Sequence, residues 1–330
     1  MDGTMSSLEE GRETNVGLIY KLLRDLPVRT RPVIYYEPGI QWVDWKAAFD
    51  VIEGRGVNGQ IQRAYAFLAA RYRPGDRIFL MGYSRGAFAV RSLAGAIDRV
   101  GLLRARFATE RHLEVLYRHY QTDPHGRAAQ AFSRRFCYET CPIEMVGVFD
   151  TVKALGLRLP VLWRLTEASY AFHSPHLGNH IRHGYHALAL NETRDAFRPV
   201  LWKTPPGWPP DRVEQVWFRG THGDVGGQIL GSPQSRPLSN IPLTWMLERL
   251  ETCGIVLPGD WRDRYPCDPK APSVGSWRAW NKLFLARHAR QVGRDPSEKL
   301  HPTALSAARR RGADLPVVMD QAPEADPLAG

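Results

Sequence analysis

A serine between two glycines is the residue of this sequence best placed to do chemistry. Ser84 stands within 82–86, GYSRG, directly after the apolar stretch 78–81 and before the small residues of 87–95. Glycines on both sides allow a sharp turn from a strand into a helix, which leaves the hydroxyl exposed above the sheet. The first amides of that helix, beginning with Arg85, would point to the same spot and could hold an oxyanion. The pattern predicts a nucleophilic serine, with a helix-capping serine as the alternative.

A serine hydroxyl is a weak nucleophile, so the chain must also supply a base and an acid that orients the base. In chains with this kind of turn the order is serine, acid, histidine. Asp150 comes directly after the apolar stretch 143–149, and His222 follows another apolar stretch within GTHGDVGG. Both would lie at the carboxyl end of a parallel sheet, where Ser84 is also expected. The spacing predicts that the three residues form a catalytic triad.

Other interpretations of these positions stay open. Glu192 and Asp195 also follow a strand-like stretch and could be the triad acid, and Asp224 lies two residues after His222. Asp224 is better suited to bonding the backbone of its own loop. Asp150 could instead cap the turn after its strand, and His222 could be an ordinary loop residue.

Strand and helix patterns alternate along the chain and indicate how these residues are brought together. Short stretches rich in apolar, β-branched and aromatic residues are typical of buried strands, and apolar residues at helical spacing lie between them. Strands are predicted at 32–36, 77–82, 143–150, 186–190 and 213–220, and helices at 14–26, with Thr14 as N-cap, 58–72, 87–103 and 241–254. This alternation predicts an α/β fold, a mostly parallel sheet with helices on both faces.

Five histidines crowd a short segment and raise the question of a metal site. They are His173, His176, His180, His183 and His186. Prolines and glycines interrupt any regular helix there, and no carboxylate or cysteine completes a ligand set. We therefore expect neither a metal nor a cofactor, and we predict a lid-like insertion near residues 153–185.

Composition and charge narrow the class of protein. The chain has 330 residues, 43% hydrophobic and 24% charged, which is typical of a globular domain. No apolar run reaches the ~18 residues of a membrane span, and the polar N-terminus does not match a secretory signal. Four cysteines are too few to staple a chain of this length, which favours a reducing, cytoplasmic location.

The net charge of +10 is concentrated near the C-terminus, where residues 261–315 contain twelve Lys or Arg and five Asp or Glu. Such a segment can contact an anionic membrane surface. Nucleic acid is not expected as a partner, because no aromatic and basic recognition signature accompanies the charge.

Taken together, these motifs resemble an α/β-hydrolase family, formerly a domain of unknown function, that contains the type VI secretion phospholipase effectors. The resemblance covers roughly residues 2–250 and continues weakly to about 316. It implies a hydrolase acting on ester bonds, with lipids as the substrates of the better-known members. It also implies Ser84 as nucleophile, His222 as base and Asp150 as the orienting acid. The stretches that carry it are DGT (2–4), GRETNVGLIYKLL (11–23), YYEPG (35–39), GQIQRAYAFLAARYRPGDRIFLMGYSRGAFAVRSLAG (59–95), GVFDTV (147–152), HALALNETR (186–194), FRPVLW (197–202) and VWFRGTHGDVGG (216–227).

The chain departs from the family pattern at three places. Members carry an apolar strand before the DGT loop (residues 2–4), whereas Met1 directly precedes it here. Asn191 stands where an acidic residue is expected, and no large membrane-anchoring extension is present. Gly3 or Thr4 would supply the second oxyanion donor, so we expect the donor to lie on an untethered terminus. A start codon placed too late would explain this, and a damaged copy is the alternative.

The sequence thus predicts an α/β-hydrolase-like catalytic domain over residues 1–257, with its first strand apparently missing. A basic extension over 258–330 is expected to pack on the same domain and to fray at its end. The expected activity is hydrolysis of carboxylic esters, of lipid or phospholipid first. The alternatives are a cytoplasmic esterase for small esters and an inactive binding protein of the same fold. The expected partners are a lipid or small ester and an anionic membrane surface, with the oligomeric state open. The expected location is the cytoplasm, with export by a contractile secretion system as a further route.

Overall fold

A computed structural model describes residues 1–39, 55–152, 175–209, 211–229, 231–277, 286–310, 312–313 and 315–318. Its centre is one sheet of five parallel strands, arranged in the order in which they occur in the sequence. The strands are β1 (Ile78–Tyr83), β2 (Ile143–Phe149), β3 (Ile181–Ala189), β4 (Val213–Phe218) and β5 (Glu298–Leu300). The predicted fold class, a mostly parallel α/β-hydrolase-like sheet, is confirmed.

The register of the strands brings their carboxyl ends to one edge of the sheet. Tyr83 at the end of β1 lies opposite Phe149 at the end of β2. Phe149 in turn lies opposite Ala187 near the end of β3, and Ala189 lies opposite Phe218 at the end of β4. Side chains that directly follow these strands therefore lie close to one another, as expected for sites of open parallel sheets.

Helices cover both faces of the sheet, and β2 shows why. All seven of its residues are buried. Val146 and Val148 pack into the core on one face, together with residues of α2 and α3, whereas Met145 and Phe149 pack with α1 and α7 on the other. Successive side chains of a strand point to opposite faces, so a strand that is apolar throughout needs cover on both. The helices are α1 (Asn15–Arg24), α2 (Arg55–Arg71), α3 (Ser84–Arg99), α4 (Glu110–Thr122), α5 (Arg127–Phe136), α6 (His222–Gly226), α7 (Arg236–Thr252), α8 (Trp261–Arg264) and α9 (Leu305–Arg309).

The predicted elements are confirmed at four strands and four helices, with shifted ends. Thr14 is the N-cap of α1, and its hydroxyl oxygen accepts from the amide of Gly17 at 3.0 Å. The strand predicted at 32–36 is wrong, because that stretch is extended but joins no ladder. Just after this stretch, the carbonyl of Glu37 accepts a hydrogen bond from the amide of Asp2. This contact does not make a strand of 32–36.

Strand β5 lies outside the predicted elements and completes the sheet next to β4. Its Leu300 packs with Leu188, Trp217 and Ala304 in a small apolar cluster. Glu298 is fully buried there. Its carboxylate accepts from the indole of Trp217 at 2.8 Å and from three backbone amides of residues 293–295 at 2.6–2.9 Å. One buried carboxylate therefore joins β4, β5 and the loop before β5.

The lid predicted near 153–185 is corrected at its end. Residues 153–174 lie outside the described residues, as does the predicted frayed end after 318. Strand β3 begins at Ile181, so residues 181–185, including His183, belong to the sheet and not to a lid. In the part of the chain that is described, no helix has the length and apolar character needed to cross a membrane.

Candidate active site

Ser84 lies at the strained turn where β1 becomes α3. Its φ is 58°, a left-handed conformation that non-glycine residues rarely adopt. A Cβ added at Gly82 would lie 2.7 Å from the Cα of Ala87, and one added at Gly86 would lie 2.4 Å from the carbonyl oxygen of Asp2. Both flanking glycines are therefore required by close backbone approach, the first to helix α3 itself and the second to the DGT loop.

His222 is the first residue of α6 and reaches Ser84 across the strand ends. Its Nε2 lies 2.9 Å from Ser84 Oγ, and its side chain is 4% exposed. The ring is held between Tyr83 and Phe197, whose ring centroids lie 4.9 and 4.8 Å away. The backbone amide of His222 donates to Glu192 at 3.2 Å. The ring and the backbone of the candidate base are thus both fixed.

Asp150 directly follows β2 and contacts the other nitrogen of the same ring. Its Oδ2 lies 2.5 Å from His222 Nδ1, and its φ of 41° is also left-handed. The structure brings Ser84, His222 and Asp150 together in one continuous chain of contacts. With the Nδ1 proton directed at Asp150, Nε2 is left to accept the proton of Ser84.

Arg290 holds the far side of the Asp150 carboxylate. Its Nη1 donates to Oδ1 at 2.5 Å and its Nη2 donates to Oδ2 at 2.9 Å. Burial alone would raise the pKa of Asp150, but the charge of Arg290 and the contact with His222 outweigh it and hold that pKa well below its ordinary value. Burial lowers the pKa of His222, against the opposing effect of Asp150. We call Asp150, His222 and Arg290 the acid–base cluster.

The other carboxylates considered for the acid are engaged elsewhere. Glu192 is fully buried and forms an ion pair with Arg194 at 2.7 Å. Burial would raise its pKa, but Arg194 lowers it to about 2. Asp224 caps α6, accepting from the amide and hydroxyl of Thr221 at 2.7 and 2.8 Å. Asp195 accepts from Arg198 at 2.7 Å. Of the candidate acids, Asp150 is the one that the structure brings to the ring nitrogen of His222.

The DGT loop lies against Ser84, and it is tethered. A Cβ added at Gly3 would lie 3.3 Å from the Cβ of Ser84 and 2.7 Å from the Tyr83 ring. The buried Asp2 accepts from the hydroxyls of Thr14 and Tyr36, both at 2.6 Å. The expectation of an untethered loop is therefore wrong, because the side chain of Asp2 ties the loop to α1 and to the stretch before residue 39.

The oxyanion donors predicted in this loop need one correction. The amide of Gly3 donates to Oδ1 of Asp2 at 2.7 Å, so it is already engaged and does not suit an oxyanion. Thr4 is the next residue, and its buried hydroxyl has no hydrogen-bond partner among the described residues. Arg85 lies in the first turn of α3, and the amides at the start of a helix point towards a site suited to an anion. Thr4 and Arg85 are therefore the candidate donors.

The histidine segment does not gather into a site. His180 contacts Asp98 at 3.0 Å, and His176 contacts the carbonyl of Lys203 at 2.8 Å. His186 is fully buried in β3 and accepts from the amide of Thr151 at 3.0 Å; burial lowers its pKa to about 3. His173 lies outside the described residues. Within the described ranges, no group of three or more His, Cys, Asp or Glu side chains could hold a metal ion.

The fold and the site together define the class of protein. A parallel sheet covered on both faces carries a serine at a strained turn from strand to helix, with an acid after the next strand and a histidine beyond a later one. This is the architecture of an α/β-hydrolase-like protein.

Sequence comparison identifies the family within this class. The sequence model of the family described as "T6SS, Phospholipase effector Tle1-like, catalytic domain" matches residues 1–249. The chain belongs to this family of type VI secretion phospholipase effector-like catalytic domains, which confirms the resemblance noted in the sequence.

The individual proteins that resemble this chain share less than a third of their residues with it over the matched regions. An uncharacterized protein of Saccharomyces cerevisiae, YEL023C, is 29% identical over 232 residues, which is 62% of this chain and 32% of that protein. A solved structure of the Tle1 effector bound to the VgrG spike of the type VI secretion system has 18% identity and a TM-score of 0.35, covering 67% of this chain and 42% of that one. An uncharacterized Pseudomonas aeruginosa protein has 18% identity and a TM-score of 0.34, covering 78% and 36%. The chain thus spans less than half the length of each.

Proposed function

We propose that this chain is a serine hydrolase of carboxylic esters, in which Ser84 is the nucleophile, His222 the general base and Asp150 the orienting acid. The observation that carries the proposal is the pair of contacts on one imidazole, 2.9 Å from Nε2 to Ser84 Oγ and 2.5 Å from Nδ1 to Asp150 Oδ2. Membership of a phospholipase effector family supports the same chemistry independently of that geometry.

In the first half of the reaction, Ser84 Oγ attacks the carbonyl carbon of the ester and its proton passes to His222 Nε2. The carbonyl oxygen becomes an oxyanion, and the amide of Arg85 and the hydroxyl of Thr4 stabilise it. The bond between that carbon and the alcohol oxygen then breaks. His222 gives its proton to the departing alcohol, which leaves an acyl group on Ser84.

In the second half, water replaces the alcohol. His222 Nε2 takes a proton from the water, whose oxygen attacks the acyl carbon and forms a second oxyanion. The bond to Ser84 Oγ breaks, His222 returns the proton to that oxygen, and the carboxylic acid leaves. Throughout, Asp150 stays ionised and stabilises the imidazolium, consistent with the direction in which Arg290 shifts its pKa.

We further propose that the esters are those of lipids presented at a membrane surface. The family is named for phospholipase effectors, and a net charge of +10 would draw the chain to anionic headgroups. An esterase for small soluble esters would share the same active-site chemistry. The two proposals differ in whether a membrane surface raises the rate of ester hydrolysis.

A fluorophosphonate probe tests the nucleophile. We expect labelling of the wild type and no labelling of Ser84→Ala, because the probe reacts only with an activated hydroxyl. Ser306→Ala, at an exposed serine of α9, is the matched control and should label like the wild type. Equal labelling of the Ser84→Ala and wild-type chains would contradict the proposal.

Vesicle assays then test the substrate class. Release of fatty acid is compared between phosphatidylglycerol vesicles, phosphatidylcholine vesicles and monomeric p-nitrophenyl butyrate. We expect release from vesicles to exceed hydrolysis of the monomeric ester and to be fastest on the anionic ones. Hydrolysis of the monomeric ester alone, with none from either vesicle, would overturn the lipid proposal and leave a small-ester esterase.

A further inference from the structure

Arg290 lies in a part of the chain that the family comparison does not reach, yet it contacts the centre of the site. The family match ends at residue 249. Arg290 is separated from Asp150 by 140 residues, and its side chain is 5% exposed. Removing a guanidinium from water is costly, and an ion pair often only offsets that cost. A buried Arg290 at this position therefore suggests a role beyond stability.

The contacts of Arg290 converge on the residues that surround His222. Beyond its two bonds to Asp150, Nη1 donates to the carbonyl of Ala189 at 2.7 Å and Nη2 donates to the carbonyl of Phe197 at 2.6 Å. Phe197 is one of the two rings that hold His222. One rigid fork thus links the end of β2, the end of β3 and the aromatic residue beside the base. Its Nε has no hydrogen-bond partner among the described residues, so all of the described hydrogen bonds of Arg290 go to Asp150, Ala189 and Phe197.

We propose that Arg290 is a positioning residue that holds the Asp150 carboxylate towards His222 and, by sharing its negative charge, limits how strongly that carboxylate stabilises the imidazolium. The proposal rests on the proposed function, because it assigns a role within the same acid–base chemistry. An arginine cannot give up its proton at working pH, so this partner is a permanent charge.

Other charged and titratable groups face His222 and must be considered with Arg290. The ring of Tyr83 of β1 packs against that of His222 at a tilt of 31°. Glu192 accepts from the His222 amide and is itself paired with Arg194. Asp224 of α6 is bonded to Thr221, Ser273 and the amide of Val274, and His186 of β3 is buried near Asp150. Apart from His222 itself, Arg290 is the charged side chain that the described hydrogen bonds place on the Asp150 carboxylate.

The sign of the effect follows from this arrangement. Removing the charge of Arg290 leaves Asp150 free to stabilise protonated His222 more strongly, so the pKa of His222 rises. Catalysis needs neutral His222. The rise of kcat/KM on the acid side of the pH profile, its acid limb, therefore moves to higher pH in the variant. An opposite charge directly beside a group shifts its pKa by about 1–3 units. Arg290 acts on His222 through Asp150, so we expect Arg290→Gln to move the midpoint of the acid limb upward by up to about one unit.

The test compares the pH profile of kcat/KM for the wild type, Arg290→Gln, Arg290→Lys and the control Arg294→Gln. Arg294 is an exposed arginine of the same segment. Arg290→Lys keeps the charge and loses the fork, so we expect a lower kcat with a midpoint close to that of the wild type. Arg294→Gln should match the wild type in both. An unshifted midpoint in a folded Arg290→Gln, or a wild-type kcat in Arg290→Lys, would overturn the proposal.

A second readout keeps this test separate from the proposed function. NMR titration of ¹³C-labelled histidines, with His222 assigned from the spectrum of His222→Gln, gives the imidazole pKa without any substrate. The same upward shift is expected in Arg290→Gln even if no ester is found to be cleaved. If Arg290→Gln does not fold by circular dichroism, Arg290→Lys decides: a His222 pKa that moves up by a unit despite the retained charge would overturn the proposal.

Discussion

The acid–base cluster and the DGT loop both lie next to Ser84, but they are held in place differently. The cluster is held by charged side chains that come from distant parts of the chain, with Arg290 and Asp150 as its ion pair. The loop is tied by hydrogen bonds from the hydroxyls of Thr14 and Tyr36 to Asp2. It is also closely packed, with Gly3 against the Tyr83 ring and Gly86 against the carbonyl of Asp2. The first arrangement is sensitive to a change of charge, and the second is sensitive to a single added methyl group.

The largest effect should come from removing the charge at the centre of the cluster. Asp150→Asn keeps the size of the side chain but no longer sets the tautomer of His222, so kcat should fall by about 10⁴-fold, as in other triads. It also leaves Arg290 buried without a counter-ion, which costs about 3–5 kcal/mol of stability. Ester hydrolysis and thermal melting measure the two effects.

The matched control is Asp195→Asn. Asp195 follows β3, as Asp150 follows β2, and it is paired with Arg198. The variant should retain activity. An active Asp150→Asn beside an inactive Asp195→Asn or Glu192→Gln would show that the wrong carboxylate had been assigned.

A smaller effect should follow from a methyl group at the loop. In Gly86→Ala the new Cβ would lie 2.4 Å from the carbonyl oxygen of Asp2, so the DGT loop must move away from Ser84. Loss of one oxyanion donor costs about 10²–10³-fold in kcat, and we expect a fall in that range. Gly259→Ala is the control, since an added Cβ there meets no atom within 4 Å. Unchanged kcat in Gly86→Ala would separate the loop from catalysis.

Thr4 offers a more selective test of the loop. Its hydroxyl is buried without a partner among the described residues, which costs stability in the resting protein. Thr4→Val should therefore leave Tm unchanged or raise it. We expect kcat to fall by about 10²-fold, the lower end of the loss for one oxyanion donor, because the loop can no longer offer that hydroxyl. A lower Tm with full activity would assign Thr4 a structural role only.

The smallest effect concerns pH. Because burial lowers the pKa of His222, the imidazole stays neutral to lower pH than its ordinary pKa of 6.5 would allow. Activity should rise with pH through a midpoint below 6.5. The pH dependence of kcat/KM on a soluble ester measures it, and a midpoint above 6.5 would show that Asp150 outweighs burial.

The acid–base cluster was predictable from the sequence only in part. Asp150 directly follows an apolar stretch, His222 stands in a glycine-containing loop soon after another, and glycines flank Ser84, so local patterns point to all three. Arg290 follows no predicted strand and stands in a segment of scattered arginines. Its role depends on a contact across 140 residues, for which a single sequence carries no signal.

The fold shows the same division between local pattern and distant contact. Long apolar strands such as β2 were predicted almost to the residue. Strand β5 has three residues, too few for a periodic pattern. The start of β3 contains Arg182 and His183, polar residues that are more typical of a surface segment than of a buried strand. The tether of the DGT loop depends on the hydroxyls of Thr14 and Tyr36, which lie 12 and 34 residues from Asp2. No local pattern links these hydroxyls to that carboxylate.

Strand β5 also bears on where this chain can be cut. An expressed piece that stops at residue 249, where the family match ends, would lose β5 and its buried Glu298. The backbone of β4 would then face solvent along a strand whose six residues are all buried in the intact chain. An open, apolar sheet edge pairs readily with other chains. Such a piece would self-associate before its catalytic competence could be measured, so the boundary of the family match is not the boundary of the folding unit.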